Sequence, residues 1–68
     1  MRLSARNQLP GTVVAIRMGE AIANVELDVA GNRLVASITV EAVQELGLEA
    51  GRQVTVVIKA SDVMVGVD

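Results

Sequence analysis

Two short polar clusters concentrate the chemistry that this chain could do: Ser4-Ala5-Arg6-Asn7 near its start and Lys59-Ala60-Ser61-Asp62 near its end. Each sets a cation and a hydroxyl within a few residues, beside backbone N–H groups expected at a strand end. Hydroxyl, amide, guanidinium and ammonium groups all donate hydrogen bonds, so together they suit an anion. Read from the residues alone, the plainer alternative is the commoner case: Arg6 and Lys59 as surface charges, Ser and Asn as turn formers. Thr39, at the start of an expected helix, is a third spot where unpaired N–H groups favour negative charge. An N-cap threonine usually spends its oxygen on its own helix instead.

Other chemistries fare worse. The chain has no histidine and no cysteine, which removes the commonest acid–base group, the commonest metal ligand and thiolate sites. A serine nucleophile would need Lys59, the only lysine, as its base, with Ser4, Ser37 or Ser61 as partner. Glu41, Glu45 and Glu49 recur every four residues and read as the solvated face of a helix. Glu20, Glu26 and Asp28 share a strand face that reads as solvent-facing rather than as a cation site. The glycines stand singly at turns, without phosphate-loop spacing. The expectation is a binding protein and not an enzyme, with no catalytic residue and no free metal cation.

The elements that must position these clusters are mostly strands. Ala21, Ala23, Val25, Leu27 and Val29 alternate with Glu20, Asn24, Glu26 and Asp28, the pattern of a half-buried strand. Ala30-Gly31-Asn32 reads as a tight turn, after which Leu34, Ala36, Ile38 and Val40 alternate with Arg33, Ser37 and Thr39. The two segments predict a hairpin. Gly11 to Arg17 is a β-branched stretch whose start is marked by Pro10-Gly11 and whose end is marked by Met18-Gly19. Val54, Val56 and Ile58 predict another strand, and a short last one is expected from about Val63 to Val67. One segment follows helical spacing instead: Val40, Val43, Leu46 and Leu48, with Thr39 as N-cap and Gly47 as C-cap. The fold class expected is mostly β, a small OB-like barrel of five or six strands with one short α-helix.

Sixty-eight residues make one domain, spanning 1–68. So short a chain buries only about 60% of the surface that its unfolded form exposes, and without disulfides or metal its support must come from other copies of itself. The composition agrees, being 51% hydrophobic with no aromatic residue, so strands carry apolar side chains on both faces. Met1 to Asn7 is too short to stand alone and is expected to pair with a neighbouring subunit. No apolar run is long enough to span a bilayer and no signal-peptide pattern precedes the domain, so a cytoplasmic location is expected. The net charge of −2 offers no footprint for nucleic acid or acidic membrane.

Three motifs in order resemble the molbindins, the single-domain Mop/TOBE-like molybdate-binding family. Ser4-Ala5-Arg6-Asn7 with Leu9 and Gly11-Thr12-Val13-Val14 is similar to the family's opening motif. Ile38-Thr39, Glu41-Ala42-Val43, Leu46-Gly47-Leu48 and Gly51 are similar to its helix segment. Ile58-Lys59-Ala60-Ser61-Asp62-Val63-Met64 is similar to its closing motif, and the match runs from about Arg2 to Gly66. The resemblance implies an OB-like domain that binds molybdate or tungstate at subunit interfaces for storage or buffering. It also implies a homo-oligomer, commonly a hexamer arranged as a trimer of dimers. Ser4, Ala5, Arg6 and Asn7 would meet Lys59, Ala60 and Ser61 of another subunit around the oxyanion. A second kind of site lies near three-fold axes in this family, and Thr39 is the one residue carried over to it.

The chemistry fits that implication. Molybdate is a tetrahedral dianion whose oxygens only accept, so a pocket made of donors disfavours hydrogen phosphate, whose proton would face another donor. Sulfate differs mainly in size and has to be rejected by a rigid pocket, whereas tungstate is nearly molybdate's size and escapes that filter. Two other classes remain open. One is a nucleic-acid module, OB-like or, through Leu46-Gly47-Leu48 and Gly51, AbrB-like; missing aromatics and the charge balance count against it. The other is a structural oligomer without a ligand.

Overall fold

The alternation between apolar and polar residues translates directly into strand pairing. The computed structural model describes all residues from 1 to 68. The elements are β1 (Asn7–Met18), β2 (Ile22–Val29), β3 (Asn32–Thr39), α1 (Val40–Leu46), β4 (Gln53–Ile58) and a 3-10 turn at Ala60–Asp62. All strand pairs are antiparallel, in the order β3-β2-β1-β4.

The β2–β3 hairpin forms as expected, with Val29 opposite Asn32 and a loop of only two residues. Ala30 and Gly31 have φ of 51° and 85°. This left-handed pair matches the twist of a two-residue hairpin. Asn32 therefore belongs to β3 rather than to the turn, and its Nδ2 donates to the Val29 carbonyl at 3.2 Å. Helix α1 is closed at both ends by the residues that its sequence offers. Thr39 Oγ1 accepts from the Ala42 N–H at 3.0 Å. Gly47 is left-handed and donates to the Gln44 carbonyl, while Leu48 donates to that of Val43. These two bonds satisfy carbonyls that a seven-residue helix would otherwise leave open.

β1 departs from the expectation in two ways. It starts at Asn7 rather than at Gly11 and runs through Pro10, because its first half pairs with β4 and its second half with β2. At Pro10 only β4 lies alongside, so a missing N–H need not cost a ladder bond. The changeover falls at Gly11, where an added Cβ would lie 3.1–3.2 Å from Val56, Val29 and the Asp28 carbonyl oxygen. Just beyond it, Val13 faces Leu27 but Ala15 faces Glu26, so Val14 is an extra, bulged residue. The bulge reverses the strand's faces: Val13 is buried, Ile16 packs against the core, and Ala15 and Arg17 turn outward.

The core consists of Val13, Ala23, Val25, Leu27, Val29, Val43 and Val56, the inward sets of three strands with one helix residue. The sheet is not closed. Where a five- or six-stranded barrel was expected there are four strands in one open sheet, and Val63 to Val67 is not a strand within the chain. A strand needs an edge to pair with, and this tail joins neither β3 nor β4. Val63, Val65 and Val67 are left 51%, 90% and 94% exposed. Between the free edges lies an apolar cavity of about 180 Å³, lined by Ala36, Ile38, Leu46, Leu48, Val54 and Val56 among others. The whole chain exposes 5409 Å², whereas a finished monomer of its mass exposes about 4,100 Å². Its radius of gyration of 12.6 Å likewise exceeds the about 11 Å expected for 68 residues.

Candidate anion-binding site

The pairing of β1 with β4 brings the two polar clusters to one end of the sheet. Asn7, the first residue of β1, lies opposite Ile58, the last of β4. Asn7 Nδ2 donates to the Ile58 carbonyl at 3.1 Å, which ties the strand ends together and fixes the amide's direction. Ser4-Ala5-Arg6 enters this pair on one strand and Lys59-Ala60-Ser61 leaves it on the other. The resemblance assigned these clusters to two subunits; within one chain they are already neighbours.

Local structure explains why both clusters present donors. After Ile58 the chain turns into the 3-10 segment, in which Asp62 N–H bonds the Lys59 carbonyl at 2.9 Å and Val63 N–H that of Ala60 at 3.3 Å. The N–H groups of Ala60 and Ser61 precede the first bond of that turn and have no partner inside it. Lys59 caps the turn with its backbone only, leaving its ammonium uncommitted by any cap bond. On the other side, Gln8 Nε2 donates to the Ala5 carbonyl at 3.0 Å and steadies the bend before β1. Ser4, Arg6, Lys59, Ala60 and Ser61 are exposed, whereas Ala5 and Asn7 are half-buried. The arrangement is rich in donors, and its one nearby acid is Asp62, on the turn itself.

Thr39 sits elsewhere. It pairs with Ile22, and Ala23 next to Ile22 pairs with Met18, so Thr39 lies toward the far end of the twelve-residue β1 from Asn7. Its oxygen is occupied as the helix cap. It cannot join the Asn7–Ile58 cluster from within the same chain.

A second polar feature escaped the sequence reading. On the outer face of the sheet a depression of about 140 Å³ is lined by Ala15, Arg17, Asn24, Glu26, Arg33 and Val35. Glu26, expected only to face solvent, accepts a hydrogen bond from Arg33 Nε on the adjacent strand. Arg17 reaches this face only because of the bulge at Val14, a feature without a local signature.

The TOBE domain model matches residues 3–65. The chain belongs to the TOBE family. Along its full length this TOBE domain is 46% identical to a probable molybdenum-pterin-binding protein of Haemophilus influenzae, over 69 residues and 100% of both chains. Among solved structures it is similar to a molybdate-binding protein from Sporomusa ovata, with a TM-score of 0.91 and 40% identity, covering 96% of this chain and 97% of that one. It is also similar to the cytoplasmic molybdate-binding protein ModG, whose structure has molybdate bound. There the TM-score is 0.84 at 41% identity, covering 88% of this chain but 43% of ModG. The resemblance read from the three motifs is borne out. No helix of this TOBE domain is long and apolar enough to cross a membrane.

Proposed function

We propose that this chain binds molybdate, and tungstate with it, at seams between copies of itself, and serves as a store or buffer of the oxyanion. The observation that carries this reading is the junction at Asn7 and Ile58, where two donor-rich clusters meet at one sheet end. Ser4, Arg6, Asn7, Lys59 and the backbone at Ala60 and Ser61 supply hydroxyl, guanidinium, amide, ammonium and N–H donors. Such a set matches an ion whose every oxygen accepts. The names of the relatives agree, since each is described by molybdenum or molybdate.

The clusters are exposed in a single chain, where salt screens their attraction for a dianion. A second copy supplies the missing wall. Two free sheet edges, an apolar cavity between them and a tail with apolar residues at alternate positions are complementary features. The Val63–Val67 segment of one copy completes the barrel of another, and its exchange starts one residue beyond Lys59-Ala60-Ser61. The excess exposed surface, about 1,300 Å² over a finished monomer, suits association of this kind. Assembly continues to a hexamer, a trimer of dimers, with Thr39 at a second kind of site near the three-fold axes.

The role is binding without turnover, in the cytoplasm, the compartment named for ModG. Neither nucleic acid nor membrane is a partner. The test is thermal unfolding with molybdate, tungstate or sulfate added, since a ligand of the native state raises the midpoint once it exceeds its dissociation constant. Molybdate and tungstate should raise it and sulfate should not. An unmoved midpoint in protein shown by elemental analysis to be free of molybdenum and tungsten would leave a structural oligomer as the better reading.

A further inference from the structure

The depression on the outer face differs from the Asn7–Ile58 site in one chemical respect: it contains a carboxylate. Arg17 stands opposite Asn24 across β1 and β2, and Glu26, two residues further along β2, accepts from Arg33 Nε on β3. That bond holds Arg33 by one nitrogen and leaves the other N–H groups of its guanidinium available. Arg17 has no ion-pair partner; the Arg33–Glu26 pair is the only salt bridge in the chain. Ala15 and Val35 are the only apolar residues lining the depression. The lining therefore offers two guanidiniums and one side-chain amide as donors, together with one carboxylate oxygen not used by Arg33.

We propose that this depression is a second, independent anion site that takes hydrogen phosphate in preference to sulfate or molybdate. The argument is one of proton matching. Inorganic phosphate keeps at least one proton at neutral pH, so it must donate one hydrogen bond while accepting several. Sulfate and molybdate have no proton to donate. A carboxylate beside these donors accepts the phosphate proton but repels the other two ions, whose oxygens would face it lone pair to lone pair. Arg17 and Arg33 supply the net positive charge, and about 140 Å³ accommodates one small tetrahedral ion. The site is complete within one chain and does not depend on the molybdate reading.

The test is a titration of the isotope-labelled protein at pH 7 and constant ionic strength, following backbone amide resonances. Inorganic phosphate should shift Ala15, Arg17, Asn24, Glu26, Arg33 and Val35 saturably, and equimolar sulfate should not. Arg17→Ala should weaken the phosphate response by about tenfold or more. Glu26→Gln should let sulfate bind as well as phosphate, because the amide can also donate. Equal responses to phosphate and sulfate in the unmodified protein would overturn the proposal, as would an unchanged phosphate response in the Arg17 variant. Molybdate shifts at Asn7 and Ser61 are read in the same spectra, so the two sites stand or fall separately.

Discussion

Asn7 Nδ2 donates to the main-chain carbonyl of Ile58 at 3.1 Å, across 51 positions of sequence. One side-chain bond thus joins the start of β1 to the end of β4 and brings together two donor clusters that are remote in the chain. Asn7→Asp keeps the side chain's shape but removes the donor and adds a negative charge beside the site. The variant should lose about 1 kcal/mol of stability. It should also lose molybdate binding by about 100-fold or more, because the charge now opposes the ligand. Calorimetric titration beside denaturant unfolding checks both, and retained affinity would remove Asn7 from the site.

Arg6 and Lys59 flank that junction and are exposed, so their removal should leave the fold nearly untouched. Arg6→Ala and Lys59→Ala are each expected to weaken molybdate binding by about 10- to 100-fold, the worth of a hydrogen bond to a charged group. Wild-type affinity in both variants would refute the assignment.

The two helix caps separate stability from binding. Thr39→Ala should cost about 1 kcal/mol by orphaning the Ala42 N–H. Gly47→Ala, at φ 63°, should cost about 1 kcal/mol through left-handed strain. Neither change should alter molybdate binding at the site proposed around Asn7 and Ile58. A fall in the number of molybdate ions bound per chain, seen by elemental analysis of Thr39→Ala alone, would mark Thr39 as part of the second kind of site.

The hairpin loop offers a gain. Ala30 holds a φ of 51°, which costs a residue bearing a Cβ about 1–2 kcal/mol. Asn-Gly is the preferred pair for such a loop, so Ala30→Asn should raise stability by about 0.5–1 kcal/mol. An unchanged or lower unfolding midpoint would contradict that account of the turn.

The exposed tail makes a prediction about assembly. Val65→Asp places a charge in the segment assigned to the partner's cavity and should shift the protein toward monomer. Sedimentation would register a smaller particle, and the unfolding midpoint of the unmodified protein should rise with concentration where the variant's does not. An assembly of unchanged size would remove the tail from the interface.

Much of this protein is legible locally. The hairpin follows from period two between Ala23 and Ile38, and α1 from Val40, Val43 and Leu46 set between a capping Thr39 and Gly47. The donor character of Ser4-Ala5-Arg6-Asn7 and Lys59-Ala60-Ser61 is likewise plain, because residue type alone decides who donates. Tertiary structure decided what depends on distant partners. β1 runs through Pro10 because β4 pairs with it there, and Val14 bulges where the strand passes from one neighbour to the other. That single extra residue turned Arg17 outward beside Asn24, where periodicity in β1 alone would have misassigned it. The tail from Val63 to Val67 shows the reverse case: its alternation is strand-like, but alternation specifies only which faces are apolar. Whether a strand forms depends on an edge to receive it, and no edge within the chain does.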